Sequence, residues 1–185
     1  MLGLSEINRS LRGAVQLFFG RKEGLQAMDR SVEGFWRSFA VIFILLPINA
    51  IVVFAIARSS TSGADFRGLF MEQLPLLILD WVAFPVALAM AAGPLGVSAK
   101  YVSYVVARNW SAPVAGGILA IPYILQGAGW IPVNGAALLS LIAIIVVLRY
   151  GYVVLRLALG TTMAVSAGLV VADLALTLVL IAIFG

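Results

Sequence analysis

Two aspartates, Asp80 and Asp173, are the residues of this sequence whose surroundings could give them chemistry. Asp80 is the only charged residue between positions 73 and 99, and Asp173 is the only one between positions 157 and 185. A charged side chain at the centre of a bilayer costs about 2.5–3.5 kcal/mol, so such a residue usually faces the inside of a helix bundle and has a partner there. The sequence therefore predicts that both carboxyl groups point into a bundle.

The depths of the two aspartates suggest that they meet. At a rise of 1.5 Å per residue, their predicted depths differ by roughly 6 Å. Asn49 lies at a comparable depth in the first apolar segment, and Ser166 and Thr177 lie on the same helical face as Asp173. Because no Lys or Arg is predicted at this depth, at least one of the two carboxyls is expected to carry a proton.

Three interpretations of this pair remain open. The aspartates can form a structural polar contact between helices. They can instead form a proton or cation site in a small transporter. An intramembrane aspartyl protease also needs two aspartates on separate helices, but the Tyr-Asp, Gly-x-Gly-Asp and Pro-Ala-Leu signatures of such enzymes are absent here.

The rest of the chain offers little enzyme chemistry. His and Cys are both absent, and the sequence contains no HExxH, CxxC or P-loop motif, which leaves the commonest metal ligands and nucleophiles out. We therefore predict no catalytic residue, no cofactor and no metal site, and we expect that the protein is not an enzyme.

The elements that must position the aspartates are membrane spans. Between Arg108 and Arg149 lie 40 consecutive uncharged residues, enough to cross a bilayer twice, since about 20 apolar residues make one crossing. Apolar residues make up 63% of the chain and charged residues only 11%, against about 25% charged in soluble domains. The sequence predicts an all-α fold, a polytopic transmembrane helical bundle.

Charged and turn-forming residues divide this bundle into five predicted spans. They cover about 36–58, 73–95, 111–129, 134–155 and 160–184, and residues 1–35 form a segment of their own. With the N-terminus in the cytoplasm, ten Lys and Arg residues fall inside and two fall outside, which is a strong positive-inside bias. We predict a cytoplasmic N-terminus, an exterior C-terminus and a place in the bacterial inner membrane, with no cleavable signal peptide.

The first segment has its own pattern. Apolar residues fall at helical spacing in Leu4, Ile7, Leu11, Ala14 and Phe18, which predicts an amphipathic helix over residues 4–19 that Gly20 ends. This helix can lie in the membrane interface, with its basic residues against anionic lipid, or it can pack on the cytoplasmic end of the bundle. Residues predicted at the lipid interface are Arg9, Arg12, Trp36, Trp110, Trp130, Arg149, Tyr152 and Arg156.

Small residues predict which spans are central, because membrane helices approach closely where side chains are small. The second, third and fifth spans carry them at a spacing of four: Ala83, Ala87, Ala91; Ala112, Gly116, Ala120; and Gly160, Ala164, Gly168, Ala172. We expect these spans to form the centre of the bundle. The same stripes can alternatively form the seam of a homo-oligomer.

The layout resembles that of the Yip-domain family. Five spans, a polar cytoplasmic N-terminus and the aromatic and basic junction within residues 149–176, RYGYVVLRLALGTTMAVSAGLVVADLAL, carry the resemblance. It implies a noncatalytic integral membrane protein, and eukaryotic members of that family interact with small GTPases in membrane traffic.

Together these features predict a protein that acts by binding protein partners or lipid, such as an accessory subunit of a membrane complex. A small proton- or cation-coupled transporter that uses Asp80 and Asp173 is the alternative. Expected partners are the bilayer, with anionic lipid at its cytoplasmic face, and another membrane protein or a second copy of the chain. Nucleic acid is not expected, because most basic residues flank the apolar spans.

Overall fold

The computed structural model describes residues 3–59 and 65–184, and within these ranges the chain is all-helical, with no strand. The predicted all-α class is confirmed. The described part contains α1 (Leu4–Phe18), α2 (Val32–Ser38), α3 (Ile42–Ser59), α4 (Phe66–Ala91), α5 (Tyr101–Gly127), α6 (Val133–Leu159) and α7 (Met163–Phe184). Short 3₁₀ helices occupy Lys22–Ala27, Phe39–Val41 and Ser98–Lys100.

Four helical stretches of the described part are long and apolar enough to cross a membrane. They are Val32–Ser59, which joins α2 to α3, and α4, α6 and α7. Helix α5 has 27 residues, or about 40 Å at 1.5 Å per residue, but it is more polar because it carries Arg108, Asn109 and Gln126. Length therefore permits a fifth crossing that composition alone does not indicate.

Two helices begin well before their predicted spans. Helix α4 starts at Phe66 rather than near residue 73, and α5 starts at Tyr101 rather than near residue 111. The predictions used charged residues as boundaries, but α5 continues through Arg108 and α6 through Arg149 and Arg156. Arginine is a good helix former, so a charge alone does not end a helix.

The five long helices close into a ring. Helix α3 packs against α4, α4 against α7, α7 against α6, α6 against α5, and α5 returns to α3. The most extensive of these contacts join α5 to α6 and α5 to α3. Neighbours in space are therefore not always neighbours in sequence, since α7 lies between α4 and α6.

Helix α1 packs on one end of this ring. Ala14 and Leu17 are completely buried, and the Tyr150 hydroxyl of α6 donates a hydrogen bond of 2.7 Å to the Ala14 carbonyl oxygen. The ring of Phe18 packs edge-to-face on Tyr150 at a centroid distance of 5.3 Å. Of the two interpretations of the amphipathic helix, the structure favours packing on the bundle, although Leu4 at the start of the stripe remains 86% exposed.

A very close backbone approach holds α1 against the 3₁₀ helix Lys22–Ala27. A Cβ atom added to Gly13 would lie only 2.5 Å from the Gly24 carbonyl oxygen, and one added to Gly24 would collide with the Gly13 carbonyl oxygen. Gly20 ends α1 with a φ of 76°, a conformation that glycine adopts without steric cost, as predicted for this helix stop.

Arg37 links three segments: α1, the loop before α2, and α2 itself. Arg37 pairs with Glu6 at 3.3 Å and also with Asp29 and Glu33. The Ser31 backbone N–H and the Arg37 guanidinium both donate to Asp29, which lowers the pKa of that carboxyl below its usual value. Ser31 itself caps α2, since its Oγ accepts the Gly34 N–H at 3.0 Å.

The small-residue stripes pack differently from the prediction. On α5, Ala120 is buried, Ala112 is half-buried, and Gly116 faces Leu45 of α3. On α4, large residues form most of the buried face, namely Trp81, Phe84, Pro85 and Leu88, whereas Ala87 is exposed and Ala83 and Ala91 are half-buried.

On α7 the prediction is wrong for packing within one chain. Ala164, Gly168 and Ala172 are all exposed, and a Cβ added to Gly168 would meet no other atom within 4 Å. Gly160, the first residue of the predicted stripe, is also exposed and lies before α7, at the end of α6. The face of α7 that packs on its neighbours instead carries Ser166, Asp173 and Thr177. Because polar groups lose more than small apolar ones when they face lipid, they decide which face turns inward.

Candidate functional site

A cavity of about 360 Å³ lies inside the five-helix ring, and residues from each of α3 to α7 line it. Most of its wall is apolar. The charged residues in the wall are Asp80 on α4, Arg108 on α5 and Asp173 on α7, and the Thr177 hydroxyl lies one turn beyond Asp173. Asp80 and Asp173 therefore line the same cavity, one from α4 and one from α7.

Asp80 has a hydroxyl partner from the neighbouring helix α7. Thr177 Oγ1 donates to Asp80 Oδ1 at 2.6 Å, a contact between α4 and α7. Thr177, one of the predicted polar-site residues, is thus the residue that holds Asp80.

Asp173 has a cationic partner that the sequence prediction missed. Arg108 Nη2 lies 3.5 Å from Asp173 Oδ1, and the Arg108 side chain is only 17% exposed. The expectation that no Lys or Arg lies at this depth is wrong, because α5 starts at Tyr101 and so carries Arg108 about two turns into the bundle. Arg108, which was predicted to lie at the boundary of a span, is instead the counter-ion of Asp173 inside the bundle.

The backbone of α4 supplies a second contact for the same arginine. Pro85 has no N–H and cannot bond the carbonyl oxygen of Trp81, four residues earlier in the helix. Arg108 Nη1 donates to that oxygen at 3.4 Å, and its guanidinium lies 5.8 Å from the centre of the Phe84 ring. The proline in α4 thus creates an acceptor that the arginine occupies.

The charges of this cavity do not balance. Two carboxyl groups face one guanidinium, and within residues 3–59 and 65–184 the only ion pair of the cavity joins Arg108 to Asp173. Asp80 is left with a neutral hydroxyl. With both carboxylates ionised the cavity carries one net negative charge, so neutrality requires a proton or another cation.

A further polar group of the wall is unpaired. Trp81 is 6% exposed and lines the cavity, and its indole Nε1 has no hydrogen-bond partner in the described part of the chain. A buried N–H without a partner costs about 1–3 kcal/mol.

Two predicted members of the polar site lie elsewhere. Asn49 is not part of the cavity wall, and its Oδ1 is buried without a partner among the described residues. Ser166 is fully buried but bonds locally, to the Thr162 carbonyl oxygen at 2.9 Å and to the Thr161 hydroxyl at 2.8 Å. The prediction that Asn49 and Ser166 belong to the polar site is therefore corrected. Helical spacing predicts which face of a helix a residue lies on, but not the position along the helix at which neighbouring helices contact that face.

The predicted interface residues also divide. Trp110 is only 1% exposed and belongs to the core around α5, so its assignment to the lipid interface is wrong. Trp36 and Trp130 are largely exposed. The other predicted interface residues remain on the surface or half-buried: Arg9, Arg12, Arg149, Tyr152 and Arg156.

Long apolar helices around a partly charged interior are the features of a multi-pass helical membrane protein. Comparison of the chain with protein-family profiles, with curated protein sequences and with solved structures finds no match. The cavity and the helices around it are therefore the features from which a function can be inferred.

Proposed function

We propose that this chain is a noncatalytic protein of the bacterial inner membrane that crosses the bilayer five times and acts by binding. The charged cavity inside the helix ring carries the proposal, because a fold that needed only to hold helices together would fill this volume with side chains. In this proposal a small ligand binds in the cavity, while the exposed surfaces bind lipid or another membrane protein.

The ring supports α5 as the fifth span. Helix α5 packs along both α3 and α6, and each of those is long and apolar enough to cross a membrane. A helix between two spans lies at membrane depth itself, and the polar side chains of α5 that would be costly in lipid are buried, as with Asn109, which is fully buried and donates to Ser38 Oγ at 2.9 Å.

We expect reporter fusions at residues 1 and 185 to report opposite compartments, with the N-terminus in the cytoplasm. The reason is the positive-inside rule: even with Arg108 set aside as an interior residue, nine of the remaining eleven Lys and Arg residues fall on the cytoplasmic side of this topology. Paired cytoplasmic and periplasmic reporters on both ends provide the measurement. Termini in the same compartment would rule out an odd number of spans.

The arrangement of the carboxyls argues against catalysis by the aspartate pair. A protease of this kind needs two carboxyl groups close enough to share one proton. Here Arg108 holds Asp173 and Thr177 holds Asp80. A binding role, which is also what the Yip-like layout implies, requires no such sharing.

The binding role is tested by adding bulk at the edge of the cavity. Gly151 lines the cavity but is exposed, and a Cβ added there meets no atom within 4 Å, so Gly151→Leu places a side chain beside the cavity without a clash. Gly117 on α5 is equally open but is not part of the wall, so Gly117→Leu is the matched control. Both changes replace a helical glycine by a good helix former.

We expect some fraction of a bacterial metabolite extract to raise the melting temperature of the purified wild-type protein and of the Gly117→Leu variant, but not that of Gly151→Leu. Ligands that bind only the folded state stabilise it, by about 2.7 kcal/mol at a concentration of 100 times Kd. Thermal melting in detergent with fractionated extract measures the effect. If every stabilising fraction acts equally on all three proteins, the cavity is not the binding site.

A second candidate is a small proton- or cation-coupled transporter, and the unbalanced charge of Asp80 favours it. An intramembrane carboxyl without a fixed counter-ion can exchange a cation as the two sides of the membrane alternate. Ion flux into proteoliposomes would distinguish transport from binding alone.

A further inference from the structure

Asp80 is a residue of the cavity wall with unoccupied hydrogen-bond acceptor positions. An ionised carboxylate has about four acceptor positions, and within the described residues Thr177 is its one hydrogen-bond donor. The hydrogen bonds and the ion pair of Arg108 go to Asp173 and to the Trp81 carbonyl oxygen. The cavity therefore presents a carboxylate that is short of hydrogen-bond donors.

The remainder of the wall is suited to an apolar body rather than to a bare metal ion. Leucines from α4, α5 and α7 line it, Leu77, Leu119 and Leu174, together with the aromatic residues Trp81 and Tyr104. A hard metal ion needs about six oxygen ligands, and no group of three or more acidic, His or Cys side chains that could hold a metal occurs in the described ranges. The volume of about 360 Å³ lies within the range of about 300–1,000 Å³ that small-molecule sites occupy.

We propose that the cavity binds a small organic monocation, with its ammonium group on Asp80 and its apolar body against the leucines and aromatic rings. This inference rests on the proposed function and names the chemical class of the ligand. One positive charge neutralises the cavity, and aromatic side chains of the wall add attraction for a cation. A neutral or anionic ligand would leave the charge of Asp80 uncompensated.

Cyclohexylammonium tests this proposal, with cyclohexanol as a neutral probe of nearly the same shape. The full-length protein in lipid nanodiscs is titrated calorimetrically at constant ionic strength, with NaCl as the metal-ion probe. We expect cyclohexylammonium to bind the wild-type protein and both probes to bind at least roughly tenfold more weakly. Cyclohexanol lacks the charge that strengthens a hydrogen bond to a carboxylate, and Na⁺ finds too few oxygen ligands in this wall.

The matched variants are Asp80→Asn and Glu72→Gln, both carboxylate-to-amide changes on α4. Glu72 is exposed and lies outside the cavity wall, so its variant should bind cyclohexylammonium like the wild type. Asp80→Asn should bind it roughly tenfold or more weakly. If Asp80→Asn does not fold, Thr177→Val takes its place, and loss of the hydroxyl that orients Asp80 should weaken binding about threefold.

Equal binding of cyclohexanol, tighter binding of Na⁺, or unchanged binding by the Asp80 variant would each overturn the assignment of an organic cation. If cyclohexylammonium fails to bind while an extract fraction still stabilises the wild type and not Gly151→Leu, the ligand class is wrong and the binding role stands. If neither ligand nor extract acts, the proposed function fails as well.

Discussion

Replacing Arg108 with methionine is expected to lower the free energy of unfolding by about 3–5 kcal/mol, the usual cost of removing one partner of a buried ion pair. Methionine keeps much of the length and the apolar stem of the side chain, so the loss falls on the charge. Asp173 would lose its counter-ion, and the Trp81 carbonyl oxygen, already without its helical donor because of Pro85, would lose its hydrogen bond. Unfolding by SDS in mixed micelles measures the change.

The matched control is Arg156→Met. Arg156 lies on α6, is exposed, and contacts the Tyr152 hydroxyl at 3.4 Å, so its loss should change stability by no more than about 0.5 kcal/mol. The double variant Arg108→Met with Asp173→Leu provides a second check, because it removes both charges. It should be more stable than Arg108→Met alone, since an apolar pair can replace a buried ion pair at little cost. Equal stability of Arg108→Met and the wild type would show that this ion pair does not hold α5 to α7.

Gly24→Ala is expected to separate the 3₁₀ helix Lys22–Ala27 from α1. The added Cβ would collide with the Gly13 carbonyl oxygen and lie 3.0 Å from the Leu17 side chain. A backbone oxygen cannot move aside as the end of a flexible side chain can, and overpacking typically costs about 1–3 kcal/mol. A local cost of about 2 kcal/mol raises the population of the open segment roughly thirtyfold.

Trypsin reports this opening, because Arg21 and Lys22 lie on the surface of the same segment. Cleavage after these residues should accelerate in step with the open population. Gly3→Ala is the control, since a Cβ there meets only the Ser5 hydroxyl at 3.8 Å and should leave the cleavage rate unchanged. If Gly24→Ala is cut no faster than the wild type, the close approach of Gly13 and Gly24 does not hold this segment in place.

The helical class and the inward orientation of the two aspartates follow from the sequence for simple reasons. In a membrane, a long uncharged stretch forms a helix because a helix satisfies all of its backbone hydrogen bonds internally. A carboxyl group in such a stretch turns inward because it is costly in lipid. Thr177 was predicted because it lies one turn from Asp173, and it does bond Asp80. These inferences depend on local spacing, which a sequence displays directly.

Arg108 could not be identified by the same reasoning. Its position at the end of a 40-residue uncharged run is that of a flanking residue, and nothing local distinguishes it from Arg149 at the other end. The available signal was Pro85, which implies a carbonyl oxygen in need of a donor, but the identity of the donor depends on how α4 and α5 face each other. Likewise, Gly168 is exposed because the polar residues of α7 occupy the face that packs on the neighbouring helices.

The order of helices around the ring has a consequence for biosynthesis. Because α7 lies between α4 and α6, the ring cannot close until the last of these five helices has been made. In the proposed topology, a nascent chain that has already inserted α4 and α5 holds Asp80 and Arg108 in the bilayer before Thr177 and Asp173 exist to meet them. Completion of α7 thus brings Thr177 to Asp80 and Asp173 to Arg108, and it closes the ring.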